Sequence, residues 1–141
     1  MARTMSGAVF AGHLVGDELA TALASADILL NPSLTETFGN VTLEAMAAGL
    51  AVVAADVPSS ANLIDHGVDG LLSAFNPECF ADHVSALVRN PQRRQALSSG
   101  ARDTACKWTW DTILDSVIES YAMTLDRRNT VRNPAIAKSA V

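Results

Sequence analysis

Three short, almost uninterrupted apolar runs punctuate the first half of the chain: Ala8-Val9-Phe10-Ala11, Ile28-Leu29-Leu30 and Ala51-Val52-Val53-Ala54-Ala55. Each is too short for a stable helix and is closed by a breaker or a charge, at Gly12, at Asn31-Pro32-Ser33 and at Asp56, so each predicts a strand. Gly67 and Gly70 bracket a turn, and Gly70-Leu71-Leu72-Ser73 predicts a fourth, short strand. Between the strands the apolar period becomes helical. Leu19, Ala20, Leu23 and Ala24 share one face of a helix that Asp17 can cap. Asn40 is placed to cap a helix over 41–48, and Gly49 to end it. A short helical turn is expected near Ala61 to Ile64. The rest of the chain reads as helix. Asn76-Pro77 opens one with Phe80, Val84, Leu87 and Val88 on one face, and Asn90-Pro91 repeats the device before Leu97. Thr109 opens a last helix with Trp110, Ile113, Leu114, Val117, Ile118, Tyr121 and Leu125 at helical spacing. The pattern stops after Asp126, which predicts a domain over 1–125 and a disordered tail over 126–141.

The strands are apolar throughout rather than alternating, and they alternate with helices. Both features argue for an α/β fold: a Rossmann-like parallel sheet with flanking helices on its faces. In such sheets ligands bind beyond the carboxyl ends of the strands. The loops of interest are therefore Gly12 to Gly16, Asn31 to Asn40 and Asp56 to Asn62.

Charge narrows the function classes. Between Arg3 and Arg89 there is no Lys or Arg, while the same stretch holds ten acids. A nucleic-acid groove needs a basic stripe, so no nucleic-acid partner is expected. No apolar run reaches the roughly 18 to 20 residues of a membrane span, and Asp17 and Glu18 interrupt the region where a signal peptide would be apolar. A cytoplasmic location is the expectation. Cys79 and Cys106 lie far apart without ligand spacing and read as buried free thiols.

One stretch of chemistry stands out. Between Glu36 and Asp56 the chain carries a single charge, Glu44, in the run Val-Thr-Leu-Glu-Ala-Met-Ala-Ala-Gly. Glu36 falls in the loop before a helix start and Glu44 about 6 Å along the helix axis from Asn40, at ~1.5 Å per residue. The N–H groups at a helix start bind anions without any side chain, and Gly39 lets a ligand approach the backbone. A phosphate-bearing ligand at that point meets one carboxylate on each side. Carboxylates accept hydrogen bonds, so their partners are hydroxyls, such as those of a sugar and a ribose. A solvated loop acid and an outward-facing helix acid account for Glu36 and Glu44 about as well on physics alone.

The surrounding residues tip that balance. "FAGHLVGDELATALASADILLNPSLTETFGNVTLEAMAAGLAVVAAD" and "LIDHGVDGLL" resemble the C-terminal, donor-binding half of retaining glycosyltransferases of GT-B architecture, of the group 1 or family 4 type. The signature is Glu36 and Glu44 with seven residues between them, after Pro32-Ser33. The resemblance implies transfer of a hexose from a GDP- or UDP-linked sugar. It implies that Glu36 contacts the donor sugar and that the backbone amides of Phe38, Gly39, Asn40 and Val41 hold the sugar and diphosphate. It also implies that Glu44 binds the ribose diol and that Gly12 and His13 lie near the base. No metal and no cofactor are implied.

Three departures from the family pattern shape what is expected of this chain. The family's acceptor half, with its catalytic histidine, is not in the sequence. Neither are the Arg and Lys that pair with the diphosphate. The loop after the third strand reads Pro58-Ser59-Ser60-Ala61-Asn62 where the family has Gly-Gly and Pro-Glu. The expectation is an incomplete GT-B C-terminal domain that needs an N-terminal acceptor-domain chain for activity, peripheral to the inner membrane when complete. It is also expected to self-associate through its uncovered edge. The competing reading is a non-catalytic binding module or a truncated remnant of that fold.

Overall fold

In the computed structural model, which describes residues 7–132, the chain divides into two units, Met1–Ala105 and Cys106–Val141. The first unit contains α1 (Gly16–Ala24), β1 (Ile28–Asn31), α2 (Asn40–Ala48), β2 (Ala51–Ala55), α3 (Pro58–Ala61), β3 (Leu71–Ser73), α4 (Pro77–Arg89) and α5 (Pro91–Ala105). The strands form one parallel sheet in the order β1-β2-β3, with Ile28 opposite Ala51 and Val53 opposite Leu71. This is a Rossmann-like α/β fold.

β2 is the centre of the core, and all five of its residues are fully buried. Ala51, Val53 and Ala55 cluster with Leu71, Phe80, Leu87 and Leu97, and Ile28, Val57 and Val84 pack against that cluster. Side chains alternate across a strand, so Val52 and Ala54 are buried on the other face. A strand covered on both sides has no polar face, which is why it reads as a continuous apolar run.

Several elements begin and end as their sequences dictate. The Asn76 side chain accepts from the Glu78 N–H at 2.8 Å, and Asn90 accepts from the Arg93 N–H at 3.0 Å, each just ahead of a first-turn proline. α2 ends at Gly49 with φ 81°, where the Gly49 and Leu50 N–H groups bond back to Met46 and Ala45. This is the paired closure that uses up the last carbonyls of a helix.

Other expectations are corrected. Residues 8–11 form no strand, and Val9 and Phe10 are 91% and 63% exposed. A strand exists only by pairing, and the sheet among the described residues begins at β1. α1 starts at Gly16 from an extended Val15 with no side-chain cap, which puts Asp17 in the first turn, where it still favours the helix dipole. The helical turn after β2 spans Pro58–Ala61, ahead of the expected position, because Pro58 sets its first turn. Val88 is exposed and only Phe80 and Leu87 of its α4 face are buried, since Val88 lies past the end of the sheet-facing stripe. The two cysteines are free, but Cys79 is half-buried and Cys106 exposed, so neither is a core thiol.

The second unit holds α6 (Trp110–Arg132). Thr109 caps it as expected, its hydroxyl accepting from the Thr112 N–H at 3.2 Å. The helix continues beyond Asp126, where the apolar pattern ends. Residues 133–141 of the expected tail lie outside the described residues.

Candidate functional site

The carboxyl end of β1 runs into the loop that carries Glu36. Asn31, the last residue of the strand, organises this loop. Its Oδ1 accepts from the Ser33 N–H at 3.2 Å and its Nδ2 donates to the Thr42 hydroxyl at 3.1 Å. Thr42 is buried in the first turn of α2. One amide thus ties the strand end, the loop start and the helix start together.

The chain enters α2 through Gly39 in the left-handed region, with φ 91°. The expected capping by Asn40 is corrected: Asn40 is the first helical residue, and no side chain caps the helix. A left-handed entry favours glycine and carries no side chain to cover the free N–H groups of the first turn. Gly39 is also tightly placed. A Cβ there would stand 2.9 Å from Leu63 Cδ1 and 3.8 Å from Glu36 Cγ. The half-buried Glu36 therefore lies against the start of α2, as the spacing predicted, and Phe38 and Val41 are partly exposed around it.

Glu44 is exposed, not buried among the apolar residues that surround it in sequence. It stands on the wall of a groove of about 530 Å³ between α1 and α2, which Gly16, Leu19, Leu23 and Ala47 also line. Arg102, from α5, lines the same groove. The cation-free sequence to Arg89 is thus relieved in space by a residue from much later in the chain. Neither Glu36 nor Glu44 makes a hydrogen bond or an ion pair among the described residues. Gly12 and His13 lie in the exposed segment ahead of α1 and do not line the groove, which begins at Gly16, the first residue of α1. Among the described residues no group of three or more His, Cys, Asp or Glu is arranged to hold a metal ion. No helix among them is long and apolar enough to cross a membrane.

The start of α2 is thus uncapped, with Glu36 beside Gly39 and Glu44 on the wall of the groove, at the carboxyl edge of a parallel sheet. Comparison with known proteins places the chain in a family. Residues 2–90 match the family model described as "Glycosyl transferases group 1". The chain belongs to the group 1 glycosyl transferases. It is 37% identical to a D-inositol 3-phosphate glycosyltransferase of Stackebrandtia nassauensis over 85% of this chain and 28% of that protein. It is 39% identical to the sulfoquinovosyl transferase SQD2 of Arabidopsis thaliana over 73% of this chain and 21% of that protein. This group 1 chain thus spans under a third of the length of these relatives. Among solved structures, Anabaena HepE in complex with UDP superposes with a TM-score of 0.64 at 26% identity, over 79% of this chain and 30% of that one. Sucrose-phosphate synthase from Thermosynechococcus elongatus shares the fold, with a TM-score of 0.74 at 24% identity over 84% of this chain and 30% of that one.

Two residues of this region escaped the sequence reading. Asn31 looked like a strand stop, and its bond to Thr42 spans eleven positions. Its signal is the polar side chain at a strand's last position, directly before a proline. Arg102 has no local signal, since only the packing of α5 against α2 brings it to the groove.

Proposed function

We propose that this chain is the donor-binding part of a retaining, family 4-type hexosyltransferase that takes a UDP- or GDP-linked sugar. The observation that carries the reading is the left-handed Gly39 entry to an uncapped α2, with Glu36 against it and Glu44 one turn in. The similarity to Anabaena HepE in complex with UDP and to inositol-phosphate glycosyltransferases supports it. In this reading the backbone amides of Phe38, Gly39, Asn40 and Val41 hold the sugar and diphosphate. Glu36 accepts from donor-sugar hydroxyls, and Glu44 accepts from the ribose diol. Gly12 and His13 approach the base, and the reading calls on no metal. Ten acids against no base between Arg3 and Arg89 oppose a diphosphate, so binding by this chain alone is weak. Transfer requires an N-terminal acceptor-domain chain, with which it works in the cytoplasm, at the inner membrane surface. Without that partner the chain self-associates.

Calorimetric titration with UDP, GDP and ADP tests the reading. UDP or GDP is expected to bind, and Glu44→Gln to weaken that binding about tenfold to a hundredfold through one lost charge-assisted hydrogen bond, with unchanged circular dichroism. Equal affinity in parent and variant removes the ribose role from Glu44. No binding of any nucleotide favours a non-catalytic module.

A further inference from the structure

The sheet has two edges, and they differ in exposure. In β3 Leu71 and Ser73 are fully buried. In β1 no residue is buried, Ile28 and Leu29 are half-buried and Leu30 is 48% exposed. Among the described residues no strand pairs with the outer side of β1. Asp27 accepts from the Ala51 N–H at 3.1 Å, so Asp27, Leu29 and Asn31 turn their backbone groups toward β2, and Ile28 and Leu30 turn theirs outward. Native sheets guard such an edge with charge or proline. Ile28-Leu29-Leu30-Asn31 carries neither.

An apolar groove of about 560 Å³ opens beside this edge. Leu30 and Pro32 line it together with Phe75, Phe80 and Val84, and none of its lining residues is charged. Phe75 is 66% exposed. The chain carries a formal charge of -5, so two copies repel one another. The strip formed by β1 and the groove adds no charge of its own to that repulsion. A bare strand edge is also complementary to itself, since each outward residue offers one donor and one acceptor.

We propose that a second copy of this chain docks on the outer edge of β1, in a two-fold antiparallel pairing centred on Leu29. This names the surface for the self-association proposed above and rests on it. In that register Ile28 of each copy faces Leu30 of the other, and each facing pair exchanges its outward N–H and C=O groups. Side chains of facing residues share one face of the sheet. Leu30 of one copy therefore lies beside Ile28 of the other, and each groove gains an apolar neighbour. The same patch serves both copies, so the assembly closes at two.

Light scattering after size exclusion of the whole chain, over about a hundredfold range of concentration, tests the pairing. The parent is expected to approach twice the chain mass of 14.8 kDa at the upper end. Leu30→Lys sets a charge against Ile28 of the other copy and is expected to weaken association at least about tenfold, with unchanged circular dichroism. A parent dimer that Leu30→Lys leaves intact overturns this surface and leaves the self-association standing. A monomer at every concentration, which residues 8–11 folding back onto the edge would produce, overturns both, while the nucleotide reading still rests on its own calorimetric titration. Assembly beyond two copies overturns the proposal as well. If Leu30→Lys does not fold, Phe75→Glu decides in the same way, because it sets a charge in the groove from a side chain that is already mostly exposed.

Discussion

Asp69 and Glu44 each occupy a situation in space opposite to the one their sequence surroundings suggest. Glu44 is embedded in alanine, leucine and methionine, yet it is exposed on a groove wall with no partner. Asp69 sits in a glycine-flanked turn that reads as surface, yet it is 4% exposed and both of its oxygens accept hydrogen bonds. A carboxylate tolerates burial only when hydrogen bonds satisfy it. The region around β2, β3 and α5 supplies those bonds from within and is closed. The region around Glu36, Gly39 and Glu44 leaves them unmade.

This contrast predicts a gradient of effects. Asp69→Ala should be the most damaging change, because it strands the Asp65 N–H and the Thr104 hydroxyl together. A loss of about 4 kcal/mol in urea unfolding is expected from two such bonds, and a loss below about 1 kcal/mol would mean that the closed region is not held by this carboxylate. Gly100→Ala should cost about 2 kcal/mol, since the obstacle is a backbone oxygen rather than a side-chain tip. A neutral outcome by thermal melting would show that the α5 contact yields freely. Asn31→Ala should cost about 1.5 kcal/mol through its two bonds. It should also blur the amide resonances of Gly39 to Thr42, which an intact loop would leave sharp. At the far end, Glu44→Gln should move stability by less than about 0.5 kcal/mol while weakening nucleotide binding. A large stability loss there would erase the contrast with Asp69.

Much of the fold was legible because local signals and tertiary packing agree. β2 shows as an apolar pentapeptide because both of its faces are covered. The Asn76-Pro77 and Asn90-Pro91 pairs show because capping is a property of neighbours in sequence. The placement of Glu36 in the loop and of Gly39 and Glu44 along α2 was legible for a related reason: it is fixed by spacing along one strand–loop–helix unit. What failed depends on distant partners. Ala8 to Ala11 has strand composition without a strand to pair with. Asn40 has capping chemistry, but the left-handed Gly39 takes its place. The burial of Asp69 rests on Thr104, and the position of Arg102 rests on how α5 lies against α2. None of these leaves a trace within a few residues.

The parallel register has a kinetic consequence. Ile28 meets Ala51, and Val53 meets Leu71, so no two strands of this sheet can zip from a shared hairpin turn. Each pairing must first close a loop that contains a helix, and the entropy of that closure is spent before any ladder bond returns it. Such non-local contacts slow folding. The reversal at Gly49, where the chain leaves α2 and enters β2 within two residues, shortens that search. Once α2 has formed, β2 is already pointed back toward β1, and the step that remains is the docking of a preassembled helix–strand corner rather than the diffusion of a free chain.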